Sequence, residues 1–281
     1  MKRTLQLIAC MFSAVFATAE ASADASPLDK FVDYRANGAN GVFILNTNCW
    51  AYGIDTSCVS MWNSGAKNEK AGTAISKRHV LAAAHHFLGI GWELYFCGTD
   101  ENIYTNRVAG SRVVSGTDIQ IVSLQNELPD AVTPAYLLPT NFHEYIWTGK
   151  YLPVLRFDQD ERCIVNEIAD GLPFVGTPYV DEARFVASYP QIESRRPFFA
   201  YTRSGDSGNP TFLILGDLPI LLGAAHKGIN TISNGVYQGC GSPFVTYYAN
   251  EIQLKMNELV PGYSLHFVDL SQYPKIREGI R

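Results

Sequence analysis

Short apolar runs bounded by turn-forming residues recur along most of the chain, and helical periodicity is scarce. Such runs, rich in β-branched and aromatic side chains, read as strands. Residues 41–45 (Gly-Val-Phe-Ile-Leu) predict a strand ending at Asn46. Residues 72–76 and 80–82, parted by Lys77 and Arg78, predict a hairpin. Residues 92–96 alternate polar and apolar positions, and 119–124 form another strand candidate. Residues 211–215 and 220–225 flank Gly216 and Asp217 and predict two paired strands buried on both faces. Only the end of the chain reads as helix. Asn250 is the expected N-cap with Glu251 in the first turn. Ile252, Met256 and Leu259 then share one apolar face, and Pro261-Gly262 stops the run. Many short strands with Gly-rich turns point to an all-β sandwich or barrel.

The first residues read differently. Met1-Lys2-Arg3 precedes an apolar stretch over 5–19, and Ala17-Thr18-Ala19 and Ala21-Ser22-Ala23 offer small residues at signal-peptidase spacing. A signal peptide over 1–23 is expected, with cleavage after Ala19 as the alternative. The destination is then secreted or periplasmic, with no membrane contact after signal removal. The run is too short to span a bilayer well. Removal leaves roughly 255–260 residues, enough for a large core in one or two domains.

The 281-residue chain is 47% hydrophobic, which argues against disorder. Its formal net charge is -5 with no dense Lys/Arg run, which argues against nucleic acid or an anionic membrane as partner. Beyond Cys10 stand Cys49, Cys58, Cys97, Cys163 and Cys240. An odd number leaves at least one thiol unpaired within the chain. Cys49 and Cys58 are close enough to staple one hairpin, though spacing does not fix connectivity. No C-x-x-C pair offers a zinc template.

Three segments carry the chemistry: Gly72-Thr73-Ala74-Ile75-Ser76-Lys77-Arg78-His79-Val80-Leu81-Ala82-Ala83-Ala84-His85, Gly116-Thr117-Asp118-Ile119-Gln120-Ile121-Val122-Ser123-Leu124, and Ser204-Gly205-Asp206-Ser207-Gly208-Asn209-Pro210. A serine hydroxyl is a weak nucleophile and needs an adjacent base. An imidazole, ionising near neutrality, serves that need. A carboxylate fixes its tautomer, and backbone N–H groups hold the oxyanion.

In these segments the sequence resembles the trypsin/chymotrypsin superfamily. Ala83-Ala84-His85 is similar to its Ala-Ala-His signature, 118–124 to its Asp-Ile-Ala-Leu-Leu-x-Leu strand, and 205–210 to Gly-Asp-Ser-Gly-Gly-Pro with one substitution. The order His, Asp, Ser is also the family's. The resemblance spans roughly 41 to 259 and implies two antiparallel six-stranded β-barrels with a C-terminal α-helix. It implies an N-terminal barrel over 24–137 with His85 and Asp118, a linker over 138–150, a second barrel plus helix over 151–260 with Ser207, and a tail over 261–281 that is an extra strand or a loose arm. It implies a serine endopeptidase with catalytic His85, Asp118 and Ser207, and with Gly205 and Ser207 N–H groups as the oxyanion hole. The partner is a polypeptide substrate, the enzyme a monomer, and neither metal nor organic cofactor is needed.

There are departures. His86 stands where animal members carry cysteine; register favours His85 as the base, with His86 a loop residue. Asn209 replaces a glycine, and asparagine tolerates left-handed backbone angles. No Arg-Ile-Val-Gly-Gly activation sequence occurs, so Asp206 must find a basic or polar partner elsewhere. Tyr201 and Thr202 are expected in one wall of the primary pocket, and His226, Lys227 and Gly228 in the other. Tyr201 falls near the position that is aspartate in trypsin, which removes support for Lys/Arg preference. His226 is read either as a wall residue satisfying hydrogen bonds or as a mark of acidic or amide preference at the residue before the cut. Lys227-Gly228 would run antiparallel to bound peptide. His79, His143 and His266 are expected at the surface or in turns. The alternative function is a latent or inactive relative that binds a partner through the same cleft. An α/β-hydrolase needs Gly-x-Ser-x-Gly and a different residue order, and adjacent His85 and His86 do not converge on one metal as i, i+4 pairs do.

Overall fold

The computed structural model describes residues 28, 30–37, 40–60, 71–146, 152–168, 174–177, 180–216 and 218–273. The expected signal peptide, Cys10, residues 147–150 of the linker, Asp217 and residues 274–281 of the tail lie outside that set.

A hairpin of β1 (Val32–Asn37) and β2 (Asn40–Leu45) leads in. Six strands then close a barrel: β3 (Val59–Ser60), β4 (Gly72–Ala74), β5 (His79–Ala83), β6 (Glu93–Cys97), β7 (Ile103–Val113) and β8 (Ile119–Leu124). Their order around the barrel is β3-β4-β5-β8-β7-β6. The β4–β5 hairpin turns at Lys77-Arg78, as the pattern predicts. Strands β5 and β8 are buried along their whole length, with His79, Gln120 and Ser123 among the buried side chains.

The second half comprises β9 (Tyr136–Leu137), a helical turn α1 (His143–Ile146), β10 (Leu152–Phe157), β11 (Cys163–Ile168), β12 (Phe174–Thr177), β13 (Val180–Ser188), β14 (Thr202–Arg203), β15 (Pro210–Leu215), β16 (Leu218–Ala224), β17 (Lys227–Ser233), β18 (Val236–Pro243), α2 (Ala249–Leu259) and β19 (His266–Phe267). Strands β15 and β16 pair as predicted across Gly216. The all-β class and the C-terminal helix hold, but the second half is not a closed six-stranded barrel. It is an eleven-stranded sheet ordered β14-β18-β13-β11-β10-β15-β16-β9-β19, with β12 on β13 and β17 on β18. The sheet curls until β16 meets β18, where a Cβ on Gly223 would lie 2.3 Å from the Pro243 carbonyl oxygen. No ladder closes it among the described residues, because β13 and β17 already occupy the two edges of β18. One backbone bond bridges the gap, from the His226 N–H to the Gly241 carbonyl at 3.1 Å.

Helix α2 begins two residues earlier than its sequence indicates. A 3₁₀ turn, Val245–Tyr248, runs straight into it, so Tyr248 takes the N-cap position and Asn250 lies inside the first turn. Its apolar face is as expected: Ile252 and Met256 are buried and Leu259 packs against the same core. That core joins barrel residues such as Leu81 and Ile121 to Leu155, Phe212 and Leu221 of the second sheet. A second core gathers Phe185, Phe244, Leu213 and Leu222 together with Leu138 and Phe142 from the connection. The described part of the tail is held: β19 pairs parallel with β9, and Leu265, Val268 and Leu270 are buried.

Candidate active site

The proximity of His85 and Asp118 follows from strand register. Strands β5 and β8 pair antiparallel with Ala83 opposite Ile119. The Ala84 N–H continues that ladder to the Asp118 carbonyl at 2.9 Å. His85 is the next residue, and its own N–H donates to Asp118 Oδ1 at 2.7 Å. Its Nδ1 lies 2.7 Å from Asp118 Oδ2.

Ser207 comes from the other half, on the loop between β14 and β15. Gly205 and Gly208 bracket it with φ of +101° and +83°, angles that glycine alone adopts without strain. A Cβ on Gly205 would also lie 2.7 Å from Gln159 Oε1. Backbone bonds from Gly208 N–H to Ala225 O and from Ala225 N–H to Asn209 O tie the loop to the end of β16. The loop brings Ser207 Oγ to 2.7 Å from His85 Nε2. Asn209 is accommodated without a left-handed backbone angle. It is buried, and its side-chain amide donates to the Asp206 carbonyl at 3.2 Å, closing the turn.

Burial raises the pKa of Asp118, but the two His85 hydrogen bonds and the charges of His226 and His85 outweigh it and hold the carboxyl below its usual range. An ionised Asp118 can only accept, so His85 Nδ1 carries the proton and Nε2 is free to accept from the Ser207 hydroxyl. Neither the Gly205 nor the Ser207 N–H donates to a backbone acceptor among the described residues.

Behind the loop, Asp206 is buried against Arg156, with Nη1 to Oδ2 at 3.3 Å. Asp206 also accepts from the Gln159 and Arg203 N–H groups and from Gln159 Nε2. Arg156 lies wholly inside the protein, and Asn166, Phe157 and Ala200 supply its remaining acceptors. A lone arginine in the apolar run of β10 is the sequence signal for this partner.

Beside Ser207 opens a cavity of about 230 Å³ lined by Thr202, Arg203, Ala225, His226, Lys227, Gly228 and Tyr237, among others. Of the residues that the sequence puts in the two pocket walls, Thr202, His226, Lys227 and Gly228 line this cavity. Tyr201 does not line the cavity; its ring is exposed and packs edge-on against Phe199 at 5.2 Å. Local alternation explains this, because the buried Thr202 and the exposed Tyr201 face opposite ways. Tyr237 escapes the sequence reading. Its ring fills the space that a side chain at Gly228 would need, since a Cβ there would lie 2.2 Å from the ring. Strand β17 carries a ladder on its β18 side alone among the described residues.

The His226 and His85 rings lie 5.4 Å apart and tilted by 34°. His226 Nδ1 is 3.8 Å from Asp118 Oδ2. His86 is half-buried, whereas His143 and His266 are exposed, and His266 packs against Tyr136. His79 is neither at the surface nor in a turn. It is fully buried in β5, with Nδ1 2.8 Å from Ser76 Oγ and its ring against Tyr263. Its side chain lies beneath α2, which covers that face of the barrel.

No family model matches the sequence, and no curated protein matches it. Among solved structures the chain is similar to a collagenase, at 16% identity and a TM-score of 0.49, with the match covering 66% of this chain and 86% of that one.

Proposed function

We propose that this chain is an exported serine endopeptidase. The observation that carries the reading is the unbroken hydrogen-bonded path Asp118–His85–Ser207, each side-chain link 2.7 Å long and assembled from two separate sheets. His85 Nε2 removes the Ser207 proton as Oγ attacks the scissile carbonyl carbon. Asp118 holds the imidazole in the required tautomer and stabilises the cation that forms. The Gly205 and Ser207 N–H groups receive the oxyanion. His85 then gives its proton to the leaving amine, and water repeats the sequence on the acyl-enzyme. The free edge of β17 offers backbone groups to an extended peptide.

The cavity beside Ser207 takes the side chain preceding the cut. Arg203, His226 and Lys227 line it, and its one acid, Asp206, is engaged by Arg156. Arg203 is itself paired with Asp158 and Asp160; a Lys or Arg side chain there finds no carboxylate left to pair with beside Lys227, so peptides with acidic, amide or apolar residues at that position are the better substrates.

A fluorophosphonate serine-hydrolase probe tests the reading. The wild type is expected to label, and Ser207→Ala and His85→Ala are expected not to. A folded wild type that stays unlabelled would turn the assignment toward a latent or binding protein using the same cleft.

A further inference from the structure

His85, Asp118 and His226 bring two imidazole nitrogens and one carboxylate oxygen within 4.8 Å of one another. We propose that these three residues form a binding site for a borderline divalent transition-metal ion, with Zn²⁺ the type case, and that its occupancy switches off the base His85. The second clause rests on the proposed peptidase reading; the binding site itself does not.

The donor set selects the metal. Imidazole and carboxylate together suit Zn²⁺ and its first-row neighbours, whereas Mg²⁺ and Ca²⁺ prefer all-oxygen sites. Tetrahedral bonds of roughly 2.0–2.2 Å place ligand atoms about 3.3–3.6 Å apart. The observed spacings straddle that range: 2.7 Å from His85 Nδ1 to Asp118 Oδ2, and 3.8 Å from His226 Nδ1 to the same oxygen. Ångström-scale shifts of side chains suffice to centre an ion. Three protein ligands leave one position for water, and the His85 side chain is 40% exposed, so an ion can enter from the cleft.

The chemistry at His85 then inverts. The ion takes the Nδ1 lone pair, and the proton that Nδ1 donated to Asp118 relocates through water to Nε2. The imidazole remains neutral and no proton is gained or lost overall. Nε2, 2.7 Å from Ser207 Oγ, now donates where it formerly accepted. Metal-bound histidines commonly anchor their second nitrogen in this way, and here the anchor is the nucleophile itself. Ser207 loses its base while every residue of the site stays in place.

Zn²⁺ is titrated into the purified protein by calorimetry, and probe labelling is timed with and without the same Zn²⁺ concentration. The wild type is expected to bind one equivalent, to label at least 10-fold more slowly when loaded, and to recover on adding EDTA; Mg²⁺ is expected to do nothing. His226→Gln, which keeps a polar side chain of similar size, is expected to bind at least 10-fold more weakly and to show a labelling rate insensitive to Zn²⁺. Equal Zn²⁺ affinity in wild type and His226→Gln would overturn the site. Binding that depends on His226, in a protein that never labels, would uphold the site and remove the peptidase reading instead. Normal labelling of a demonstrably Zn²⁺-loaded wild type would overturn the switch.

Discussion

Arg156 and Asp206 form an ion pair with both side chains at most 1% exposed, directly behind the loop that carries Ser207. The guanidinium is held by three further acceptors, and Asp206 by three further donor hydrogens. The Ser207 loop is thus braced from inside the chain, by a residue of β10. Removing one partner leaves the other charge buried and uncompensated, at a cost of about 3–5 kcal/mol. Arg156→Met is therefore expected to lower the urea midpoint by an amount matching that loss and to slow probe labelling. A variant with unchanged midpoint and labelling rate would show that the pair braces nothing.

Asp118 faces two donors, and this sets the outcome of Asp118→Asn. The backbone N–H of His85 can only donate, so the carbonyl oxygen of the introduced amide must face it. The new NH₂ is then forced against His85 Nδ1, which becomes an acceptor and puts the ring proton on Nε2. The base is lost although the shape is kept. Turnover is expected to fall about 10⁴-fold, the size known for this change in a Ser-His-Asp triad, with little change in melting temperature. Because Asp118 is held below the usual carboxylate range, its own protonation does not set the acid limb of activity. A loss under tenfold in Asp118→Asn would remove Asp118 from the mechanism.

These two residues differ in how far the sequence discloses them. Asp118 sits just before a wholly buried strand that pairs with the strand leading to His85, so motif order and register together announce it. Arg156 announces only that an apolar strand carries a charge; its partner lies 50 residues away in sequence. Tyr237 and Gly228 meet across the β17–β18 hairpin, whose register depends on a bulge invisible to residue spacing. Closure of the second sheet fails for a similar reason, since strand count does not reveal which edges are already taken. His79 is not legible as a buried residue, because the helix that covers it begins 170 residues later.

His79 gives the fold a pH dependence. Burial pushes its pKa down to about 4, only partly offset by a hydrogen bond with the Met256 backbone, and Arg78 lowers it further. An unfolded chain takes up this proton near its ordinary value of 6.5, the folded chain only near 4. Between those values the unfolded state binds more protons, so stability falls as pH drops from about 6.5 to 4. Above that window the contribution is complete. Melting temperatures measured across it are expected to decline for the wild type and to decline less for His79→Gln, which retains a polar group toward Ser76. Parallel pH profiles for the two proteins would place the acid sensitivity elsewhere.

Cys49 and Cys163 supply the last test. Cys58, the near neighbour in sequence, is not the partner that the fold offers Cys49: Cys49 and Cys163 share one buried core, where burial and then the adjacent Cys49 thiol raise the Cys163 pKa. The surrounding segments are already tied together, by Trp50 Nε1–H to the Cys163 carbonyl at 2.9 Å and by Phe31 N–H to the Glu161 carbonyl at 2.8 Å. Refolding with glutathione disulfide as oxidant is therefore expected to link these two sulfurs, each losing its hydrogen as two glutathione thiols are released. A crosslink across so long a stretch of chain restricts the unfolded state and adds about 4–5 kcal/mol in the loop-entropy estimate. A non-reduced digest read by mass spectrometry should contain the Cys49–Cys163 peptide pair, and the oxidised protein should melt higher than Cys163→Ala. Recovery of a Cys49–Cys58 pair instead would mean that local chain spacing, and not the proximity created by the folded core, governs thiol pairing here.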